Sequence, residues 1–234
     1  MSNKQFVSVP VYLMQSILLM ATSHVQDIIT GLEDGTYLKE DNEDLSDKQS
    51  SVIYADQLLS DALDSHAFSG MTFFFGADNC LSNWHPARFV VKGIGFVNCE
   101  QFMMFCKAKL FDDEESASKI LAATSPREHK LLGRQVKGFV DSVWNEKCDE
   151  YVRIGCMAKF SQNPSMCDAL LATQGTELVE ASPYDKIWGA GLSEDDPRIL
   201  DKSKWPGQNR LGKVLMSVRL DLAHSIFAKT GHAH

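Results

Sequence analysis

The run Arg88-Phe89-Val90-Val91-Lys92-Gly93-Ile94-Gly95-Phe96-Val97-Asn98-Cys99-Glu100-Gln101-Phe102 carries both kinds of element from which this fold is built. Arg88–Val91 and Gly95–Asn98 are short β-prone runs on either side of Lys92-Gly93-Ile94, a pattern that predicts a hairpin turn. The period then changes. Asn98 with Gln101 three residues on resembles a capping box, and a helix is expected to follow.

The flanks extend the same reading. Upstream, Thr72–Phe75 is an aromatic β-type run. Downstream, Ser125-Pro126-Arg127-Glu128 has a cap residue, a proline suited to the first helical position and a Glu at the third. Asp141 is expected to cap a helix reaching about Phe160, and Asn163-Pro164 to start another. Leu178–Ala181 reads as a short buried strand entering the loop Ser182–Leu192, and Gly207 to Leu222 contains a final helix. A main domain is expected over residues 71–222, followed by a tail at 223–234.

Residues 1–70 read differently. Val11, Met14, Ile17, Leu18, Ala21, Val25, Ile28, Ile29 and Leu32 recur at spacings of three and four, a helical stripe. Ile53, Leu58, Leu59, Ala62 and Leu63 suggest a second helix across the acidic linker Glu33–Ser51. Residues 10–66 are therefore expected to form an N-terminal helical hairpin that docks on the main domain or pairs chains as a homo-oligomer. The uncharged stretch from Gln5 to Gln26 is broken by Pro10, Gln15, Ser16, Ser23 and His24, too often for a membrane span. No membrane association is expected, and the expected location is cytoplasmic.

Charge narrows the function. The chain carries a net −8, and residues 1–70, with three Lys/Arg against eleven Asp/Glu, account for all of it. The balanced remainder lacks the basic excess of a protein that coats nucleic acid, although it can hold a local basic pocket for one phosphorylated ligand. Six cysteines form no C-x-x-C pair and no Cys/His cluster of zinc spacing, so no metal and no cofactor is expected.

Three clusters could carry chemistry. Glu100 and Lys107 are two helical turns apart and project from one face, near Met103, Met104 and Phe111. Spacing alone favours a solvated charge pair beside a core stripe. Ser182 to Gly191 sets Asp185 three residues before Trp188, with Gly189 and Gly191 leaving room for a flat ligand or marking a simple turn around a core Trp. Trp205 to Lys213 leads into a helix start that could offer N–H groups, Arg210 and Lys213 to a phosphate, or be plain capping.

Taken in order, these segments resemble the NADAR (YbiA-like) N-glycosidase family. Phe75 and Leu81-Ser82-Asn83-Trp84-His85-Pro86 resemble its opening motif, and Asn98-Cys99-Glu100-Gln101-Phe102 with Lys107-Ala108 its first helix. Leu132-Gly133-Arg134, Lys159-Phe160-Ser161-Gln162-Asn163-Pro164, Leu170-Leu171-Ala172-Thr173, Leu178-Val179-Glu180-Ala181-Ser182-Pro183, Asp185 with Trp188-Gly189-Ala190-Gly191-Leu192, and Asn209 to Met216 follow in register. Gln101 stands where the family carries His, and Cys80 and Trp84 where Phe and Phe or Tyr are common. Residues 1–70 lie outside the likeness.

The resemblance implies an α+β fold, a helix-rich domain with a small sheet over residues 71–222 behind the N-terminal helical hairpin, and an N-glycosidase acting on a ribose–base bond. The implied substrates are ADP-ribose on guanine, as a free nucleotide or on nucleic acid, or ribosylaminopyrimidine intermediates of riboflavin synthesis. A non-catalytic ADP-ribose- or NAD-binding module is the alternative. The implied catalytic set is Glu100, Asp185 and Lys107, the last as a nucleophile if desolvated. The implied substrate-binding set is Trp188 for stacking, Asn83 for orientation, Arg134 and Lys213 for phosphates, and Trp84, Gly189, Gly191 and Asn209 around them.

Overall fold

The structure, a computed structural model, describes residues 70–230, so the expected hairpin over 10–66 lies outside the described residues. The order is β1 (Met71–Phe74), β2 (Phe89–Val91), β3 (Ile94–Phe96), α1 (Cys99–Leu110), α2 (Glu114–Ala122), α3 (Pro126–Arg134), α4 (Asp141–Gln162), α5 (Pro164–Leu171), β4 (Glu177–Glu180) and α6 (Arg210–Thr230). Two short 3-10 turns, Pro197–Leu200 and Lys202–Lys204, precede α6. The described chain is thus a helix-rich α+β unit with little sheet.

β2 and β3 pair antiparallel with Val91 opposite Ile94, so the turn is the two residues Lys92-Gly93 and Ile94 belongs to the strand. Both turn residues have positive φ, 48° and 80°. That is the geometry whose twist suits a two-residue hairpin, and Gly93 adopts it without steric cost. The other sheet is a parallel pair, with β1 from Met71 opposite Glu177 to Phe74 opposite Glu180. A parallel pair needs a long crossover, and here α1 to α5 supply it. The loops that leave β1 and β4 consequently emerge side by side at one end of the pair.

Local chemistry sets the helix ends. Asn98 Oδ1 accepts the Gln101 amide at 2.8 Å, and the returning Gln101 Oε1 accepts the Val97 amide at 2.9 Å, one residue beyond the usual partner. Ser125 Oγ accepts the Glu128 amide at 3.2 Å, with Pro126 first in α3. Asp141 does not cap α4. It is the first helical residue, Val140 is the cap position, and the Asp141 carboxylate instead accepts from Asn145 Nδ2 at 2.8 Å. Asn163 precedes Pro164 as expected but donates its amide to Arg88 O and Lys159 O, tying α4 to the segment before β2. The last helix passes Leu222 and runs to Thr230, because no Gly or Pro interrupts it before Gly231.

α1 is the axis of the core. Its residues 102–104 and Ala108 are buried, and it packs on α2, α3 and α4. Phe102 meets Phe96 edge-on at 5.0 Å and Phe89 at 6.0 Å, which fastens the hairpin to the helix. A Cβ at Gly133 would collide with Met104 Sδ, so that glycine sets how closely α3 approaches α1. α6 packs on α4 and on β4.

Candidate active site

At the shared end of β1 and β4, three carboxyl side chains from three segments come within electrostatic reach of one another. Glu100 enters in the first turn of α1, Glu180 ends β4, and Asp185 lies in the loop after it. Asp185 raises both Glu100 and Glu180, and Glu100 raises Glu180.

Glu100 is buried, 4% exposed. Its backbone amide donates to Asn83 O at 3.0 Å, and its Oε2 accepts from Trp84 Nε1 at 3.2 Å. Oε1 is buried without a hydrogen-bond partner among the described residues. Burial lifts the carboxyl to about 7, helped by Asp185 and opposed by Lys130, the Trp84 hydrogen bond and Arg134. It therefore exchanges a proton near neutrality.

Asp185 is pinned. Its Oδ1 accepts the amides of Ile187 at 3.0 Å and Trp188 at 2.9 Å, an Asx turn, and its Oδ2 faces Lys130 Nζ at 3.5 Å. Lys130 also lies 5.9 Å from the centre of the Trp84 ring. This lysine was not legible in the sequence: it is one basic residue among several on α3, and nothing local marks it. Glu180 was quoted only as part of a motif. Its Oε2 is buried without a partner among the described residues. Burial first, then Asp185 and Glu100, push it up to about 8.

Lys107 has aromatic neighbours. Its Nζ sits 4.0 Å from the centre of the Phe139 ring and 5.7 Å from that of Trp144. Desolvation holds it below the ordinary lysine value, Arg134 adds to that, and Asp141 opposes it. The Arg134 charge acts on Lys107 and on Glu100, which links the aromatic slot to the carboxyl group. Gln101, at the family's His position, is turned into the core, where its Nε2 donates to the carbonyls of Ile120, Leu121 and Ala123.

Several expected ligand contacts are already used by the protein. Asn209, 1% exposed, donates Nδ2 to Leu178 O at 2.9 Å and accepts the Glu180 amide on Oδ1 at 3.0 Å, so its side chain pairs with the edge of β4 as a further strand would. The amides of 207–211 donate to the carbonyls of Ala190, Lys186, Gly189, Ile187 and Trp188 in turn. They are not open to a phosphate. A Cβ at Gly189 would come within 2.9 Å of the Asp185 and Glu180 carbonyls, and one at Gly191 within 2.8 Å of Pro206 Cγ. The room these glycines leave is filled by the chain's own backbone and Pro206.

Trp188 is half-buried against the main core, with the Arg210 guanidinium 5.3 Å from its ring centre. Arg210 in turn donates Nε to Asp149 at 2.8 Å. Asn83 is buried, with Cys156 Sγ donating to its Oδ1 at 3.7 Å. Its link to Glu100 is through the backbone. Exposed Lys213 lines a surface cavity of about 610 Å³ with Lys202, Trp205, Gln208 and Arg210.

Comparison with known proteins gives this geometry a context. A family model described as the NADAR domain matches residues 73–223. The chain is 40% identical over 158 residues to an N-glycosidase of Acanthamoeba polyphaga mimivirus, a match covering 63% of this chain and 93% of that protein. It is 31% identical over 142 residues to a riboflavin biosynthesis protein of Vibrio vulnificus, covering 61% of this chain but 35% of that protein. Among solved structures, the NMR structure of the E. coli protein YbiA aligns with a TM-score of 0.57 at 26% identity, over 70% of this chain and 90% of that one.

Proposed function

The chain belongs to the NADAR domain family, and from that premise we propose that it is an N-glycosidase that hydrolyses a ribose–base bond, with ADP-ribose carried on guanine as the substrate. The observation that carries the reading is the group of Glu100, Asp185 and Glu180, in which burial holds Glu100 at about 7. Cleavage of an N-glycosidic bond builds positive charge on the anomeric carbon and negative charge on the departing base. A site that presents both ionised and protonated carboxyls at neutral pH meets both demands. Asp185, ion-paired to Lys130, faces the sugar with negative charge. Glu100 exchanges the proton of the attacking group, and Asn83 and Trp84 hold it in place.

Lys107 is the nucleophile in this scheme. Desolvation over Phe139 enlarges its neutral fraction, and a neutral amine can attack the anomeric carbon and form a Schiff base. Since the amides of 207–211 are engaged, phosphates fall to side chains, Arg134 beside the carboxyls and Lys213 at the cavity. Trp188 stacks on the base, with the Arg210 guanidinium beside its ring.

The similarity to the Vibrio riboflavin biosynthesis protein supports a second reading, a ribosylaminopyrimidine in place of ADP-ribosylated guanine. One experiment separates these. The protein is incubated in parallel with ADP-ribosylated guanosine, a ribosylaminopyrimidine phosphate, NAD and ADP-ribose, and products are read by mass spectrometry. Release of guanosine supports the first substrate and release of the aminopyrimidine the second. Unchanged ligands with measurable affinity would replace the enzyme with a binding module.

A further inference from the structure

The mechanism above gives no step to Glu180, one of the three carboxyls of the site. Glu180 closes β4, and its backbone is held by three contacts: its amide donates to Asn209 Oδ1 at 3.0 Å, and its carbonyl accepts from Ser182 at 2.9 Å and from Ala190 at 2.9 Å. The Gly189 backbone lies so close to that carbonyl that a Cβ there would be 2.9 Å from it. A carboxyl carried on so fixed a backbone is well placed for chemistry and expensive to leave idle. Its Oε2 is buried with no hydrogen-bond partner among the described residues. A carboxylate oxygen in that position loses its hydration and receives nothing in return, whereas a protonated carboxyl has a hydrogen to give and less charge to desolvate.

The neighbours point the same way. Glu180 faces Asp185 and Glu100, with Lys130 as the cation whose charge reaches it. Three carboxyls beside this lysine cannot all ionise without strong mutual repulsion; Asp185 is held by two backbone amides and Glu100 by Trp84 Nε1, so the proton falls to Glu180. The geometry points to Glu180 as the general acid that protonates the departing base, a role that rests on the N-glycosidase reading.

The step balances. As the bond from the anomeric carbon to the base nitrogen breaks, its electron pair passes to the base, and the Glu180 proton moves to the base and leaves a carboxylate. The attacking group, water or the Lys107 amine, bonds to the anomeric carbon and gives its surplus proton to Glu100. After base release, Glu180 recovers a proton from solvent or from its carboxyl neighbours, and where Lys107 has attacked, water adds to the anomeric carbon, the carbon–nitrogen bond to the lysine breaks and the amine is freed. Burial, with help from Asp185 and Glu100, keeps Glu180 at about 8, so it is mostly protonated at neutral pH when the step begins. An acid poised near the working pH is the most effective kind.

The test compares two leaving groups in the full-length protein. One substrate is ADP-ribosylated guanosine, whose base must be protonated to leave. The other is its analogue carrying 4-nitrophenol on the anomeric carbon, which leaves as a stable anion. Glu180→Gln keeps the shape of the side chain and removes the proton. The variant is expected to lose about 10²–10⁴-fold in kcat on the guanosine substrate and to stay within a few-fold of wild type on the nitrophenyl analogue. The fall in wild-type kcat/KM on the alkaline side should also vanish in the variant.

Equal losses on both substrates would reduce Glu180 to a structural role, and no loss on either would remove it from the chemistry. A wild-type protein that cleaves neither these substrates nor the ribosylaminopyrimidine phosphate overturns the N-glycosidase reading and this assignment with it. A wild type that cleaves both, with a variant that is folded and unaffected, overturns this assignment alone.

Discussion

Glu100 combines burial with a single donor, Trp84 Nε1, on one of its two oxygens. Burial keeps it from returning to the ordinary carboxylate range, while the Lys130 charge and then the Trp84 donor keep it from drifting to the value of a fully desolvated acid. Replacement by Gln keeps size and hydrogen bonding but not proton exchange. Glu100→Gln is expected to lower turnover about 10²–10⁴-fold with the melting temperature held or raised. Steady-state kinetics beside a thermal melt checks both, and a folded variant within a few-fold of wild type would remove Glu100 from the mechanism.

The raised carboxyls also leave a mark on stability. Glu100 at about 7 and Glu180 at about 8 sit above the ordinary glutamate value of 4.5. Between these values the folded chain binds more protons at the two sites than the unfolded chain does, so their contribution weakens as pH rises through that window. His129, which burial holds below its ordinary value, acts in the opposite sense. The informative quantity is therefore a difference. The stability of Glu180→Gln relative to wild type should grow from pH 4.5 to pH 8 in denaturant titrations, and a constant difference would mean that Glu180 is already ionised in the folded protein. Because the three carboxyls interact, kinetic pH profiles will report values that belong to the group and not to one residue.

At the scale of elements, the parallel pair β1–β4 positions the site. β4 is completed on its other side by the Asn209 side chain, whose amide does the work of a strand edge. Asn209 holds this pose at φ 49°, a backbone region Asn tolerates better than most residues. The missing side chain of Gly212 makes the approach possible, since a Cβ there would collide with Leu178 O. Asn209→Ala leaves Leu178 O and the Glu180 amide without partners. The expected cost is about 1–3 kcal/mol for each buried group left unpaired, with a loss of turnover because Glu180 loses its anchor. Chemical denaturation and kinetics should move together. A variant as stable as wild type but with weakened substrate binding would restore Asn209 to the ligand-contacting set.

At the scale of the molecule, the proposed chemistry is carried by residues between Asn83 and Lys213, within the span 73–223 that the family model matches. Among the described residues no helix is long and apolar enough to cross a membrane. Residues 10–66, read from sequence as a helical hairpin, are proposed to serve docking or self-association and to supply no catalytic group. Removing residues 1–68 should then leave the chemical step in place while changing aggregation or oligomeric state. Light scattering and turnover of the truncated chain measure this. A soluble truncation of unchanged oligomeric state and no activity would assign part of the site to the removed segment.

What the sequence determined by itself is what short-range chemistry controls. The caps at Asn98 and Ser125, the hairpin around Lys92-Gly93, the strand at Leu178 and the ordered motifs of an N-glycosidase family were legible because each depends on residues a few positions apart. Glu100 and Asp185 were legible as carboxylates at motif positions. Tertiary structure decided which groups surround them. Lys130 reaches Asp185 from 55 residues away in the chain, and the Glu180 amide meets Asn209 from 29 residues away. Helical spacing puts Glu100 and Lys107 on one face, and tertiary structure adds Phe139 beside Lys107 and Lys130 beside Asp185. The reason is physical. A residue's place on a helix face follows from 3.6 residues per turn, but its proton affinity follows from the burial and charge that distant segments bring to it, and no spacing along one segment encodes that.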